Sequence, residues 1–389
     1  MTGDKPLTYA EEIRLKYDPE KAAAPPAGGF ASAAEAAQAA EAAGLPKPVS
    51  WPAGLGPTAA PLDPAPAETD SLARFEGYDA VVMTYTSAEA ASLAALFTPE
   101  HRVATWYEYR HNINEYIPIV TGPKAPFNST DAENKRYYHS LALYFPCTIG
   151  SAKVLLMKSG LHMDYDTKTL APGGVVPFYK LVSEIVQTVK PKMFITTGTG
   201  GGIGAQVKLG DIIVASHTRF DCTGQFKSQS WAQEAYPTSA VPAEALSLIT
   251  PELTKTNAEH IATATPIAGR AEPKVWSADS TIVTTDIFAF DTSNDYYKLQ
   301  GKGQVCDMGD ATVGRALSGL QSLKWYAIRN ASDPQVPMDG TSQEDYKKAD
   351  TEASNIYKKY GGYTTAASVV ATWAIIASSQ TAGEHAKKH

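Results

Sequence analysis

Residues 194–216 read FITTGTGGGIGAQVKLGDIIVAS, and the seven positions from Gly198 to Gly204 hold five glycines between two apolar stretches. A glycine run after an apolar strand is where phosphates are often cradled. A P-loop needs Gly-Lys-Ser or Gly-Lys-Thr after four intervening residues, and this chain has no such run. Gly200, Gly202 and Ala205 nearly complete a dinucleotide fingerprint. That fingerprint works only when a helix starts at the loop and points its N-terminus at the pyrophosphate. Here Gly210-Asp211 and the strand-like IIVAS arrive too soon to leave room for one. Two readings remain. Either the glycines permit positive φ in a tight turn, or their bare backbone lets a ligand approach closely. The hydroxyls of Thr196, Thr197 and Thr199 favour the second, since a plain turn has no use for them.

On either side of the run, KMFITTG and DIIVASHTRF read as strands. Further out, YDAVVMTY, YYHSLALYF, AKVLLMKSG, DSTIVTTD and KWYAIRNASD have strand composition. Helices are expected in SAEAASLAALF, VPFYKLVSEIVQTVKP, PAEALSLITPELTKTNAEHIA (broken at Pro251), GDATVGRALSGLQSL and TAASVVATWAIIASS. Strands alternating with helices predict an α/β fold of three layers, α/β/α, with a mixed, twisted central sheet covered on both faces. Residues 21–70 are rich in Ala and Pro and can bury little apolar surface, so residues 1–74 are expected to form an N-terminal extension and 75–389 the folded domain. ASAAEAAQAAEAAG is a helix candidate ending at Gly44, and Trp51 is expected to pack on the body.

The 389 residues are 43% hydrophobic and 19% charged, with a net charge of −7 and no long basic run, so nucleic acid is not an expected partner. Cys147, Cys222 and Cys306 lie far apart and show no metal-ligand spacing; no metal and no cofactor are expected. The N-terminus has charges where a signal peptide needs an apolar core, and no apolar stretch reaches membrane-spanning length. A cytoplasmic location, with no membrane partner, follows as the expectation.

Four segments together resemble the nucleoside phosphorylase and nucleosidase superfamily, which includes purine and uridine phosphorylases and methylthioadenosine/S-adenosylhomocysteine nucleosidases. TTGTGGGIGAQVKLGDIIVAS is similar to its strand, T/N-x-G-[ST]-[AG]-G-G and Lys-x-Gly-Asp pattern. TTDIFAF, VCDMGDATVGRAL and IRNASDP follow in the family's order, and the resemblance runs from Tyr78 to the C-terminus. It implies a nucleoside phosphorylase-like domain that cleaves the N-glycosidic bond of a nucleoside, with a purine expected as the base. It also implies a homodimer in which a neighbour closes the pocket, with RFDCTGQF (219–226) as the candidate contact.

The resemblance assigns roles that chemistry can weigh. A departing base must gain a proton on a ring nitrogen. Asp333 matches the family's general acid, which has to reach the step protonated, a state that burial of a carboxyl favours. Pro334 restricts Asp333 to extended backbone. Ser-Asp-Pro is also ordinary turn chemistry, but with the companion motifs in order Asp333 reads as catalytic and Ser332 as substrate-binding. Phe288 matches the aromatic that stacks on the base, Met308 the residue against the sugar face, and Thr199 and Gly200 the nucleophile side of the pocket; as isolated residues, Phe288 and Met308 would read as core filler. Asp286 and Arg329 match family positions too, and each reads equally as a structural ion-pair member.

The nucleophile decides between hydrolysis and phosphorolysis. Purine phosphorylases carry Gly-Asp-Pro-x-Arg after the first strand, whereas this chain has MTYTSAEAASL, with Glu89 and no arginine. The resemblance there is to nucleosidases, in which a glutamate deprotonates the attacking water; an ordinary first-turn glutamate favoured by the helix dipole is an equal reading. A phosphorylase would need its arginine from elsewhere, such as Arg110 or a neighbouring subunit. One position departs from the family: Gly309 stands where the ribose-gripping glutamate belongs. Asp310, one residue on, is the candidate replacement, although one residue is about 100° of helix. If nothing replaces it, the substrate lacks a normal ribose diol, or the protein binds nucleosides without cleaving them.

Overall fold

The computed structural model describes residues 17–27, 29, 31–120, 140–163, 176–264 and 269–386. The first three residues expected in the strand YYHSLALYF lie outside them. Thirteen strands among the described residues share hydrogen bonds in one mixed sheet. In chain order they are β1 (Pro57–Ala59), β2 (Ala80–Thr84), β3 (Tyr107–Tyr109), β4 (Ala142–Ile149), β5 (Ala152–Ser159), β6 (Met193–Gly202), β7 (Ile212–Val214), β8 (His217–Phe220), β9 (Ala235–Pro237), β10 (Val275–Trp276), β11 (Thr281–Thr284), β12 (Val305–Asp307) and β13 (Lys324–Asp333). The helices are α1 (Pro19–Ala22), α2 (Ala33–Ala42), α3 (Ser87–Phe97), α4 (Ile113–Tyr116), α5 (Pro177–Val189), α6 (Ala243–Leu248), α7 (Pro251–Ala262), α8 (Asp310–Leu317) and α9 (Gln343–Ala386).

Strand β6 is the hub. Its first half runs parallel to β2 on one side and to β13 along its length, and its end pairs antiparallel with β12 at Gly201 and Gly202. The expected glycine loop is therefore mostly strand. Glycine disfavours strands for want of a side chain to pack, but β12 and β13 supply the hydrogen bonds that outweigh it. The chain turns only after Gly202 and enters β7 with no helix between, so no helix N-terminus faces the glycines.

Two apolar cores lie on opposite faces of the sheet. Phe178, Leu181 and Ile185 of α5, with Ala311 and Val313 of α8, fill one. Leu93 and Phe97 of α3 and Val369, Trp373 and Ile376 of α9 fill the other. That is the three-layer α/β/α arrangement the alternating pattern predicts. The sequence DIIVASHTRF divides into β7 and β8, which pair with different neighbours. The 44 residues of α9 begin well before the helix expected at 365–379.

The Ala/Pro-rich start contributes to this body. β1 pairs with β4 at the sheet edge, and Trp51 packs on Trp373, ring centroids 5.1 Å apart. Helix α2 spans most of the expected alanine-rich segment, and Gly44 follows with φ +74. Glu20 is buried, its carboxylate accepting from the Val103 and Ala104 N–H groups. No helix among the described residues is long and apolar enough to cross a membrane.

Candidate active site

The C-terminal ends of β6 and β13, where α/β sheets present ligand-contacting groups, gather most of the singled-out residues. Glu89 arrives from the first turn of α3. Thr86 caps that helix and Glu89 closes the capping box, so its placement follows from local sequence. Its Oε2 accepts from the Tyr85 and Thr86 N–H groups at 2.8 and 2.9 Å. Its Oε1 reaches across to β6 and accepts from the Thr199 N–H and hydroxyl, both at 2.7 Å. The close approach needs Gly198: a Cβ there would stand 2.4 Å from the Glu89 carboxyl carbon.

Arg329, on β13, is buried beneath this contact and holds three carboxylates. It lies 3.4 Å from Glu89 Oε1, forks onto Asp310 at 2.7 and 2.6 Å, and reaches Asp307 at 3.4 Å. Such a bidentate guanidinium–carboxylate pair fixes geometry as well as charge. Burial alone would lower the arginine's pKa; Asp310 outweighs it and holds the guanidinium charged well above its usual range. Asp307 caps the start of α8, accepting from the Asp310 N–H at 2.8 Å, and receives the Thr284 hydroxyl at 2.6 Å. Burial, and then the Asp310 charge, push its carboxyl up to about 7. Lys158, at the end of β5, is buried nearby; burial brings its ammonium down to about 8, with Glu89 and Asp18 acting the other way.

Gly309 leaves space that Tyr85 fills. A Cβ at 309 would stand 2.6 Å from the Tyr85 ring. The Tyr85 hydroxyl donates to Asp310 Oδ1 at 2.9 Å, and its ring lies 4.5 Å from the guanidinium carbon of Arg329. Asp310, the candidate ribose ligand, is thus held by Arg329 and Tyr85.

Asp333 ends β13 just past an irregularity in its pairing with β6, beside Gly201. A Cβ on Gly201 would sit 3.4 Å from Asp333 Oδ2. The carboxyl is buried, and the Ser332 hydroxyl lies 2.8 Å from its Oδ1 and 3.3 Å from the Gly200 carbonyl. Glu89 meets β6 at Gly198–Thr199 and Asp333 at Gly201, two to three strand residues apart, or about 7–10 Å. Met308 follows β12 and is half-buried. Phe288 is also half-buried and packs beside Phe290, centroids 6.4 Å apart.

Other singled-out residues are elsewhere engaged. Asp286 braces the 223–226 turn, accepting from the Thr223, Gly224 and Phe226 N–H groups. Arg110 pairs with Glu68 at 3.4 Å. Among the described residues no cluster of His, Cys, Asp and Glu could hold a metal ion. Sequence reasoning passed over Tyr85, Asp307 and Asp291. Asp291 ties the turn after β6 to the segment after Asp333, accepting from the Gly204 N–H and the Gln335 amide at 2.7 and 2.8 Å. The one signal for Tyr85 was its bulk set against a glycine 224 positions later, which only the fold brings together.

No curated protein matches the chain by sequence. Solved structures similar to it include a methylthioadenosine/S-adenosylhomocysteine nucleosidase from Neisseria meningitidis, at 15% identity and a TM-score of 0.42, over 77% of this chain and 99% of that one. Futalosine hydrolase of Helicobacter pylori matches at 12% identity and a TM-score of 0.45, over 77% and 97%. A nucleosidase from Colwellia psychrerythraea in complex with adenine matches at 14% and 0.44, over 78% and 96%. The family model of the phosphorylase superfamily matches residues 120–360, more than half of the chain. The chain belongs to the phosphorylase superfamily and is an enzyme acting on N-glycosidic bonds.

Proposed function

We propose that the protein is a nucleosidase that releases a base, a purine by the resemblance of its motifs, from a nucleoside with water as the nucleophile. The observation that carries the choice of water is the occupancy of Arg329. Phosphate needs cationic partners, and this guanidinium is already shared by Glu89, Asp307 and Asp310. A phosphate dianion placed there would meet three carboxylates, whereas neutral water meets no such repulsion.

In this reading the sugar lies between Glu89 and Asp333. The Thr199 hydroxyl, now donating to Glu89 Oε1, rotates away and opens that oxygen to a water. Glu89 takes a proton from the water as its oxygen bonds to the anomeric carbon. The glycosidic bond breaks, its electron pair goes to the base, and Asp333 delivers a proton to a base ring nitrogen. One proton enters through Glu89 and one leaves through Asp333, and exchange with solvent restores both. Phe288 stacks on the base, Met308 lies against the sugar, and Ser332 holds the Asp333 carboxyl. A homodimer closed by residues 219–226 and a cytoplasmic location belong to the same proposal.

A panel of purine and pyrimidine nucleosides, incubated with and without phosphate, tests it. Free base and free sugar in phosphate-free buffer are expected. A strict phosphate requirement, or tight binding with no release, would overturn it.

A further inference from the structure

We infer that Tyr85 is a positioning residue of this site: its backbone N–H and its side chain together brace Glu89, Asp310 and Arg329 against one another. Its N–H holds Glu89 Oε2 at 2.8 Å. Its hydroxyl holds Asp310 Oδ1 at 2.9 Å. Its ring face lies against the Arg329 guanidinium at 4.5 Å, a cation–π distance. The three contacts lead to three different elements, α3, α8 and β13. Burial, and then the Asp310 charge, push the phenol well above its usual pKa, so it stays a donor. The ring is walled by edge-on contacts to Phe178 and His162, each with centroids 5.4 Å away. Gly309 completes the arrangement: the Tyr85 ring occupies the space that a side chain at position 309 would need.

The catalytic half of this inference rests on the proposed nucleosidase reading; the linkage among the charges does not. Tyr85→Phe keeps the ring and removes the hydroxyl. It is expected to lower kcat about tenfold or more, the scale of one hydrogen bond to a charged group, with KM unchanged. Tyr85→Ala should lower kcat further, with Tyr85→Phe recovering part of the loss. Gly309→Ala, which crowds the ring without touching a charge, should reproduce the kcat loss. An unchanged kcat in folded Tyr85→Phe would overturn the inference. So would a rise in KM alone, which is the mark of direct substrate contact.

A second measurement needs no turnover. In urea unfolding, the stability losses of Tyr85→Phe and Glu89→Gln should fail to add in the double variant, because their side chains are coupled through Asp310 and Arg329. Additive losses would overturn the linkage. Coupling in a protein that releases no base would leave the linkage standing and remove the nucleosidase reading instead.

Discussion

The two ends of the candidate site are built differently. At the Glu89 end, charges are buried and tied to one another: one guanidinium serves three carboxylates, and a tyrosine and a threonine take up further acceptor positions. At the Asp333 end, a buried carboxyl sits beside a serine hydroxyl, and Met308 and Phe288, the proposed apolar contacts, are half-buried. The first end is set before any substrate arrives; the second offers apolar surface. An attacking water has few contacts of its own and must be aimed by prearranged groups, a demand that preorganised charges meet. A base is large and flat, and an apolar face suits it. Variants at the Glu89 end should therefore cost stability and activity together, and variants at the Asp333 end should cost activity alone.

The largest expected effect is at the Asp333 end. Asp333→Asn should lower kcat by about 10²–10⁴-fold, the usual contribution of a general acid, while thermal unfolding stays close to wild type. A large drop in Tm would erase the contrast. Next comes Arg329→Met, which strands buried carboxylates without their cation and should cost about 3–5 kcal/mol in chemical denaturation, along with activity. Near-wild-type stability would show that the buried charges are not interdependent. Phe288→Ala should raise KM for the base-bearing substrate, on the scale of about 1–3 kcal/mol for base–aromatic stacking, and leave Tm unchanged.

The last effect is read across pH. The Asp307 carboxyl, pushed up to about 7 by burial and by Asp310, binds a proton more tightly in the folded than in the unfolded chain. Its contribution to stability is therefore fully present below about pH 4 and lost as pH rises through about 7. Asp307→Asn should flatten the fall in stability between pH 5 and 7.5, read by urea midpoints at each pH. An unchanged slope would mean that another group titrates there.

Much of this was legible in the chain. Strand β13 was readable to the residue, because an apolar run ends at Ser332-Asp333 before a proline. Glu89 was readable as a first-turn glutamate of the expected helix, a local signal. The glycine run misled because strand propensity describes a lone segment, and Gly198–Gly202 owe their extended form to β12 and β13. The first half of α9 escaped because residues 343–364 are charged and carry Gly361-Gly362, so its helical character comes from packing against the body. Arg329's role was hidden for a simpler reason. Its partners Asp310 and Glu89 lie 19 and 240 residues away, and no local pattern links them.

The account turns on water as the nucleophile between two carboxyl groups. It is tested most directly by running the reaction with a purine nucleoside in phosphate-free, ¹⁸O-enriched water and weighing the sugar released. One solvent oxygen at the anomeric carbon, lost together with base release in Asp333→Asn, is the predicted result. Release that begins only when phosphate is added, with the sugar recovered as its 1-phosphate, would contradict it.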